Sequence, residues 1–193
     1  MQFQQASKHI LERLKRDLPS HLSYHTLEHV LDVYAAASRI AEAEGVEGTD
    51  LALLLTAVLF HDSGFMIQSK NHEKFGCEIA RETLPRFDYS AAQIDAICQM
   101  IFATEIPQQP KNLLEEIMAD ADLDYLGRDD FYTIGQTLFK EFKDSGVIET
   151  EQEWNRLQIK FLEQHHYFTA TSIASRAAQK AQHLAELKQL FNA

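Results

Sequence analysis

Cysteine is nearly missing from this sequence. Cys77 and Cys98 are the two present, with no C-x-x-C spacing, and that excludes a disulfide framework. Both lie among apolar neighbours in helix-like stretches, so buried free thiols are expected. Seven glycines and four prolines exclude collagen-like and proline-rich readings. Long apolar runs are missing too. The longest, Leu51–Phe60, is broken by Thr56, whereas a membrane helix needs about 20 residues. The opening MQFQQASKHILERLKRDLP mixes polar and charged residues and does not read as a secretory signal, so a cytoplasmic protein is expected. Cationic residues are in deficit: 18 Lys plus Arg against 29 Asp plus Glu, for a net charge of -11. Such a field repels polyanions, and no basic stripe offsets it, so neither nucleic acid nor membrane is an expected partner. A small anionic substrate stays compatible if a bound cation reverses the local potential.

Apolar residues at 45% and charged residues at 24% of 193 describe an ordinary globular chain, long enough for one domain over 1–193. Nearly every periodic stretch repeats at 3.6 residues, and none alternates like a strand. The pattern predicts helices over Phe3–Asp17, ended by Pro19, and Thr26–Ala43, stopped by Gly45. A third, from Thr49 or Asp50, is apolar nearly all round and runs out at Gly64; a fourth begins near Asn71 and ends before Pro85. Ser90 with Gln93, Asn112 with Glu115 and Thr150 with Glu153 have capping-box spacing and start three more. Another spans Asp129–Lys143, and a last follows Thr169. The fold class is therefore all-α, a bundle of eight or nine helices.

Histidine is the residue that stands out. Of nine, His25, His29, His61 and His72 fall within one quarter of the chain. In YHTLEHV, His25 and His29 are four apart, about 40° on a helical wheel, and can address one site. Chance supplies about 0.4 such pairs in this composition, so the pair alone says little. In LFHDSGF, His61 and Asp62 close the most hydrophobic helix. An unpaired carboxylate delivered into hydrocarbon is costly and calls for a cation. In MADADLDYLG, Asp120, Asp122 and Asp124 crowd a helix C-terminus, against the helix dipole, and need compensation.

His, then His-Asp, then Asp roughly sixty residues on resembles the HD superfamily of metal-dependent phosphohydrolases. YHTLEHVLDV is also similar to the first metal motif of cyclic-nucleotide phosphodiesterases. IFATE through DADLDYLG looks like a bacterial group of predicted HD-superfamily phosphohydrolases, and the likeness extends loosely over most of the chain. The resemblance implies an all-α HD fold, a divalent cation and hydrolysis of a phosphate ester or anhydride. Carried over residue by residue, it implies His29, His61, Asp62 and Asp122 as metal ligands. His25 matches the position that protonates the leaving oxygen, and Asp62 would also orient the attacking water. The helical wheel does not separate Asp122 from Asp120; the resemblance favours Asp122. Two imidazoles and two carboxylates suit Mn, Mg, Fe, Ni or Zn. Such an ion acidifies water and withdraws charge from phosphoryl oxygens.

Some HD proteins hold a second metal through histidines on two later helices. His72 fits the first of these, but Ala103 and Thr104 stand where the second is expected. His72, Glu73 and Asp120 are thus candidates for a second metal or for support of the first. Lys70 and Lys74, close after the His-Asp pair, are the candidate phosphate-binding cations. His165 and His166 read as packing or surface residues, and Trp154 and the twelve phenylalanines as core. The expected substrate is a small nucleotide or other phosphorylated metabolite. The alternatives are an HD-fold di-iron oxygenase and a non-catalytic metal- or ligand-binding signalling module. A homodimer through the first or last helix stays open.

Overall fold

Pro19 cannot donate a backbone hydrogen bond and Gly45 accepts a left-handed φ of 74°, and these two residues bound the first two helices. The computed structural model describes residues 1–192, with side chains through 190. Helix α1 spans Phe3–Asp17, α2 Leu27–Ala43 and α3 Gly48–Phe60, followed by a 3-10 segment over His61–Met66. Then come α4 (His72–Thr83), a 3-10 turn (Leu84–Phe87), α5 (Ala91–Phe102) and α6 (Leu113–Asp122). A third 3-10 turn (Asp124–Gly127) leads to α7 (Phe131–Asp144), α8 (Glu151–Gln164) and α9 (Ala170–Asn192). Nine α-helices and no strand occur among the described residues, which is the all-α bundle that the periodicity predicts. None of these helices is long and apolar enough to cross a membrane.

Local chemistry accounts for most helix starts. Ser90 and Thr150 each form both halves of a capping box with Gln93 and Glu153. Asn112 forms only one half. Its side chain accepts from the Glu115 amide, but Glu115 takes the Lys111 amide rather than that of Asn112. Helix α4 ends at Thr83, before Pro85 as expected, and Pro85 sits in the 3-10 turn that follows. Two boundaries differ from expectation. The third α-helix closes at Phe60, so that His61 and Asp62 open the 3-10 segment rather than ending the helix. Helix α7 begins at Phe131, two residues after Asp129.

Two apolar cores result. In the first, α3 runs through the centre with every residue from Leu53 to Phe60 buried, and Ile10, Val33, Ile40, Ile97 and Ile117 close round it. Burying each such side chain contributes about 1.5–3 kcal/mol. The second core, of Leu126, Phe131, Leu162 and Leu187 with Tyr24 and Tyr125, joins the C-terminal helices to the approach of α2. Cys77 and Cys98 are free and buried, and each thiol faces the other's carbonyl across α4 and α5.

Gly64 locks the 3-10 segment onto α4. A Cβ there would lie 1.9 Å from the carbonyl oxygen of His72, a backbone atom that cannot step aside. Gly64→Ala is therefore expected to cost about 3 kcal/mol or more, read as a lowered urea midpoint. It would also displace the start of α4, where His72 sits.

Candidate metal centre

Four elements of the first core deliver side chains to one place. Thr26 caps α2, its hydroxyl accepting from the His29 amide, and that fixes His29 in the first turn. His61 and Asp62 come from the start of the 3-10 segment, Asp122 from the last residue of α6, and His72 from the first residue of α4. His61 Nδ1 is bonded to the Val58 carbonyl oxygen at 2.7 Å, which leaves its Nε2 for the site. His29 Nε2 lies 3.4 Å from Asp62 Oδ2 and 3.2 Å from Asp122 Oδ1. His61 Nε2 lies 3.2 Å and 3.5 Å from the same two oxygens. Ligand atoms about 2.1 Å from one cation stand roughly 3.0–3.4 Å apart across an octahedral or tetrahedral edge. The four groups are spaced accordingly, and one atom each of His29, His61 and Asp122 lies within 4.8 Å of the others.

Proximity here is not hydrogen bonding. His61 Nε2 and Asp62 Oδ2 are buried with no hydrogen-bond partner, although they are 3.2 Å apart. Buried polar atoms without partners are expensive; a shared cation between them removes that cost. In its absence protons take its place. Burial pushes the Asp62 carboxyl up, but the charges of His61, His25 and His29 pull it well below the usual carboxylate range. Asp122 behaves alike, with the adjacent His29 and His61 imidazoles pulling it down against burial. His61 is pushed down by burial and, more strongly, up by Asp62 and Asp122. Proton and metal thus compete for one donor set.

His25 does not join this cluster. Its ring stacks on Phe65, centroids 4.0 Å apart, and its Nδ1 contacts Glu141 of α7. Glu141 also accepts the amides of Ser23, Tyr24 and His25 at 2.8–3.1 Å, so it pins the approach to α2 from 116 residues away in sequence. Burial pushes its pKa up, yet the bond and charge of His25 and the backbone amides pull it down to about 2. Nothing in the sequence singles Glu141 out: it is one acid among 29 on an amphipathic helix. His72 faces the other oxygen of Asp62, with Nε2 3.5 Å from Oδ1 and 3.5 Å from Glu73 Oε1.

The remaining candidates lie elsewhere. Asp120 is fully buried and accepts the amides of Phe168 and Thr169 and the Thr169 hydroxyl at 2.7–2.9 Å. It holds the α8–α9 connection and faces away from the histidines. Asp124 is held by Arg39 and Arg176 at 2.7 and 2.8 Å. The three acids of MADADLD therefore find three separate compensations. Lys70 and Lys74 are exposed and line no part of the adjoining cavity; Lys74 pairs with Glu78 instead. His165 is half-buried beside Lys180 and His166 is exposed. Phe102, at 44% exposure, departs from the expectation that the phenylalanines are core.

A cavity of about 320 Å³ opens from the cluster. His25, Asp62, His72, Glu73 and Asp122 form one end, and mostly apolar side chains, Trp154 and several of the second core among them, form the rest.

An all-α bundle with a buried His, His-Asp, Asp cluster at the mouth of a cavity defines a helical protein with a candidate metal centre. The sequence model of the HD domain matches residues 26–124, a span that contains His29, His61, Asp62, His72 and Asp122. The chain belongs to the HD domain family. No curated protein matches it. Over its full length it is similar in fold to a crystal structure of a structural-genomics target from Lactobacillus plantarum. The TM-score is 0.69 at 20% identity, covering 100% of this chain and 99% of that one.

Proposed function

We propose that this protein is a metal-dependent phosphohydrolase acting on a small phosphorylated compound. The observation that carries the reading is the pair of buried, unpartnered atoms, His61 Nε2 and Asp62 Oδ2, facing His29 and Asp122 at ligand spacing. His29, His61, Asp62 and Asp122 would hold one divalent cation. Bound there, a cation such as Mn, Mg, Fe, Ni or Zn supplies an acidified water and draws charge from the phosphoryl oxygens.

The chain's own residues provide the rest. Phe65 and Glu141 hold the His25 ring at the cavity wall, and with Nδ1 engaged, Nε2 is the nitrogen left to face substrate. As imidazolium it would donate to the departing oxygen, with Glu141 balancing the charge. Tyr24, whose ring centroid lies 4.6 Å from that of His29, closes the site against bulk water. A second cation between Asp62 Oδ1, His72 and Glu73 is a further proposal, read as two ions per chain instead of one.

The test is phosphate release from a panel of phosphomonoesters and nucleotides. We expect turnover that needs added Mn or Mg and stops with a chelator. A protein that takes up the ion and releases phosphate from no substrate would instead favour a non-catalytic binding module.

A further inference from the structure

The cavity beside the metal centre is unlike a polyphosphate site. Apart from the acids and histidines at one end, its wall is mostly hydrocarbon: Leu126, Phe142, Trp154, Leu157, Phe161 and Leu162 are among the lining residues. No lysine or arginine lines it, and the chain as a whole carries a net charge of -11. A second or third phosphate placed there would have no counter-charge beyond the ion at the mouth.

Polar groups on the wall are few. The Thr104 hydroxyl donates to the Ile101 carbonyl and the Gln158 amide to Asn155, which leaves chiefly the Tyr24 and Tyr125 hydroxyls. A nucleobase with its ribose brings more donors and acceptors than this wall can satisfy, and each one left unpaired costs affinity. An apolar body has no such needs.

Building on the hydrolase reading above, the geometry points to a substrate with a single phosphoryl group on a mostly apolar body. The phosphoryl group sits at the His29, His61, Asp62 and Asp122 cluster, and the body fills the space between α7 and α8. A cavity of about 150 Å³ holds one benzene, so one of about 320 Å³ takes a body of about two aromatic rings or a medium-length alkyl chain. An alkyl or aryl phosphate meets the description; an adenine nucleotide does not.

Trp154 is the chain's one tryptophan and is buried in this wall, so its emission reports occupancy directly. Octylphosphonate, which hydrolysis does not consume, and AMP would be titrated into the metal-loaded full chain. Octylphosphonate is expected to shift Trp154 emission and to bind at least about 30-fold more tightly than AMP, since each buried methylene adds to affinity. Leu157→Lys puts an ammonium at a wall position that is 38% exposed and so tolerates the change in the folded protein. It should weaken octylphosphonate about tenfold and narrow the gap to AMP. Equal or tighter AMP binding, octylphosphonate binding with no change in emission, or an indifferent Leu157→Lys variant would each overturn the assignment.

Phosphate release, measured in parallel on 1-naphthyl phosphate and AMP, separates this idea from the hydrolase reading. Metal-dependent release from AMP without preference for the naphthyl ester removes the apolar-substrate assignment and leaves the hydrolase. Preferential octylphosphonate binding with no release from either ester removes the hydrolase and keeps the ligand class.

Discussion

Asp62→Ala should take the protein from one bound divalent ion per chain to near none, and turnover to background. Asp62 is 3% exposed and its Oδ2 lies within 3.4 Å of both His29 and His61. Removing it leaves two imidazoles and one carboxylate with a gap where the fourth donor stood. Elemental analysis of both proteins purified identically checks the first half, and phosphate release checks the second. Heat supplies an independent reading. A ligand at about 100 times its Kd stabilises the folded state by about 2.7 kcal/mol, or about 5–10 °C for a chain of this size. Added Mn should raise the wild-type Tm by that amount and leave the variant unmoved. A variant that keeps both ion and activity would break the ligand assignment.

Glu141→Gln should lower kcat by about 100-fold, the low end of what general acid catalysis contributes, while KM and metal content stay near wild type. The change keeps size and most of the amide contacts but removes the negative charge beside His25. If Glu141 merely braced the bundle, kcat and metal content would fall together with stability. A pH effect accompanies the kinetic one. The folded-state pKa of Glu141 is depressed to about 2 from an ordinary 4.5. Its stabilisation is therefore complete above about pH 4.5 and disappears as pH falls through about 2. A shift of that size corresponds to on the order of 3 kcal/mol. The wild type should exceed Glu141→Gln in urea resistance at neutral pH, and the difference should shrink steadily below about pH 4.5.

Much of the helical skeleton is legible in the sequence because it depends on neighbours in the chain. Pro19 and Gly45 stop helices, and Ser90 and Thr150 start them, through bonds that reach at most a few residues. The convergence of His29, His61, Asp62 and Asp122 also leaves a trace, since each lies at a helix terminus where a short motif can be seen. The partners that complete the site leave none. Glu141 meets His25 across 116 residues, and Asp124 meets Arg176 across 52. Which acid on a helix faces which loop depends on how whole helices rotate against one another. Asp120 shows the same limit: helical periodicity set it beside Asp122 as a candidate, and only the path of residues 168–169 reveals what its carboxylate holds. The cavity wall was out of reach for the same reason. Leu138, Phe142, Trp154 and Phe161 read as ordinary core residues until the second core is seen to stop short of closing.

The alternation of Asp120, Asp122 and Asp124 also shapes how the molecule can come apart. The outer two carboxylates bind the C-terminal third of the chain, Asp120 through residues 168–169 and Asp124 through Arg176, while the middle one faces the histidines. Thr171 adds a bond to Glu44 at the end of α2. Peeling α9 away together with residues 168–169 would strand the buried Asp120 carboxylate and leave Asp124 without Arg176, which costs more than fraying a helix whose contacts are only apolar. The last helix and the end of α6 should therefore open together, and amide protons in both should exchange with solvent as one cooperative unit.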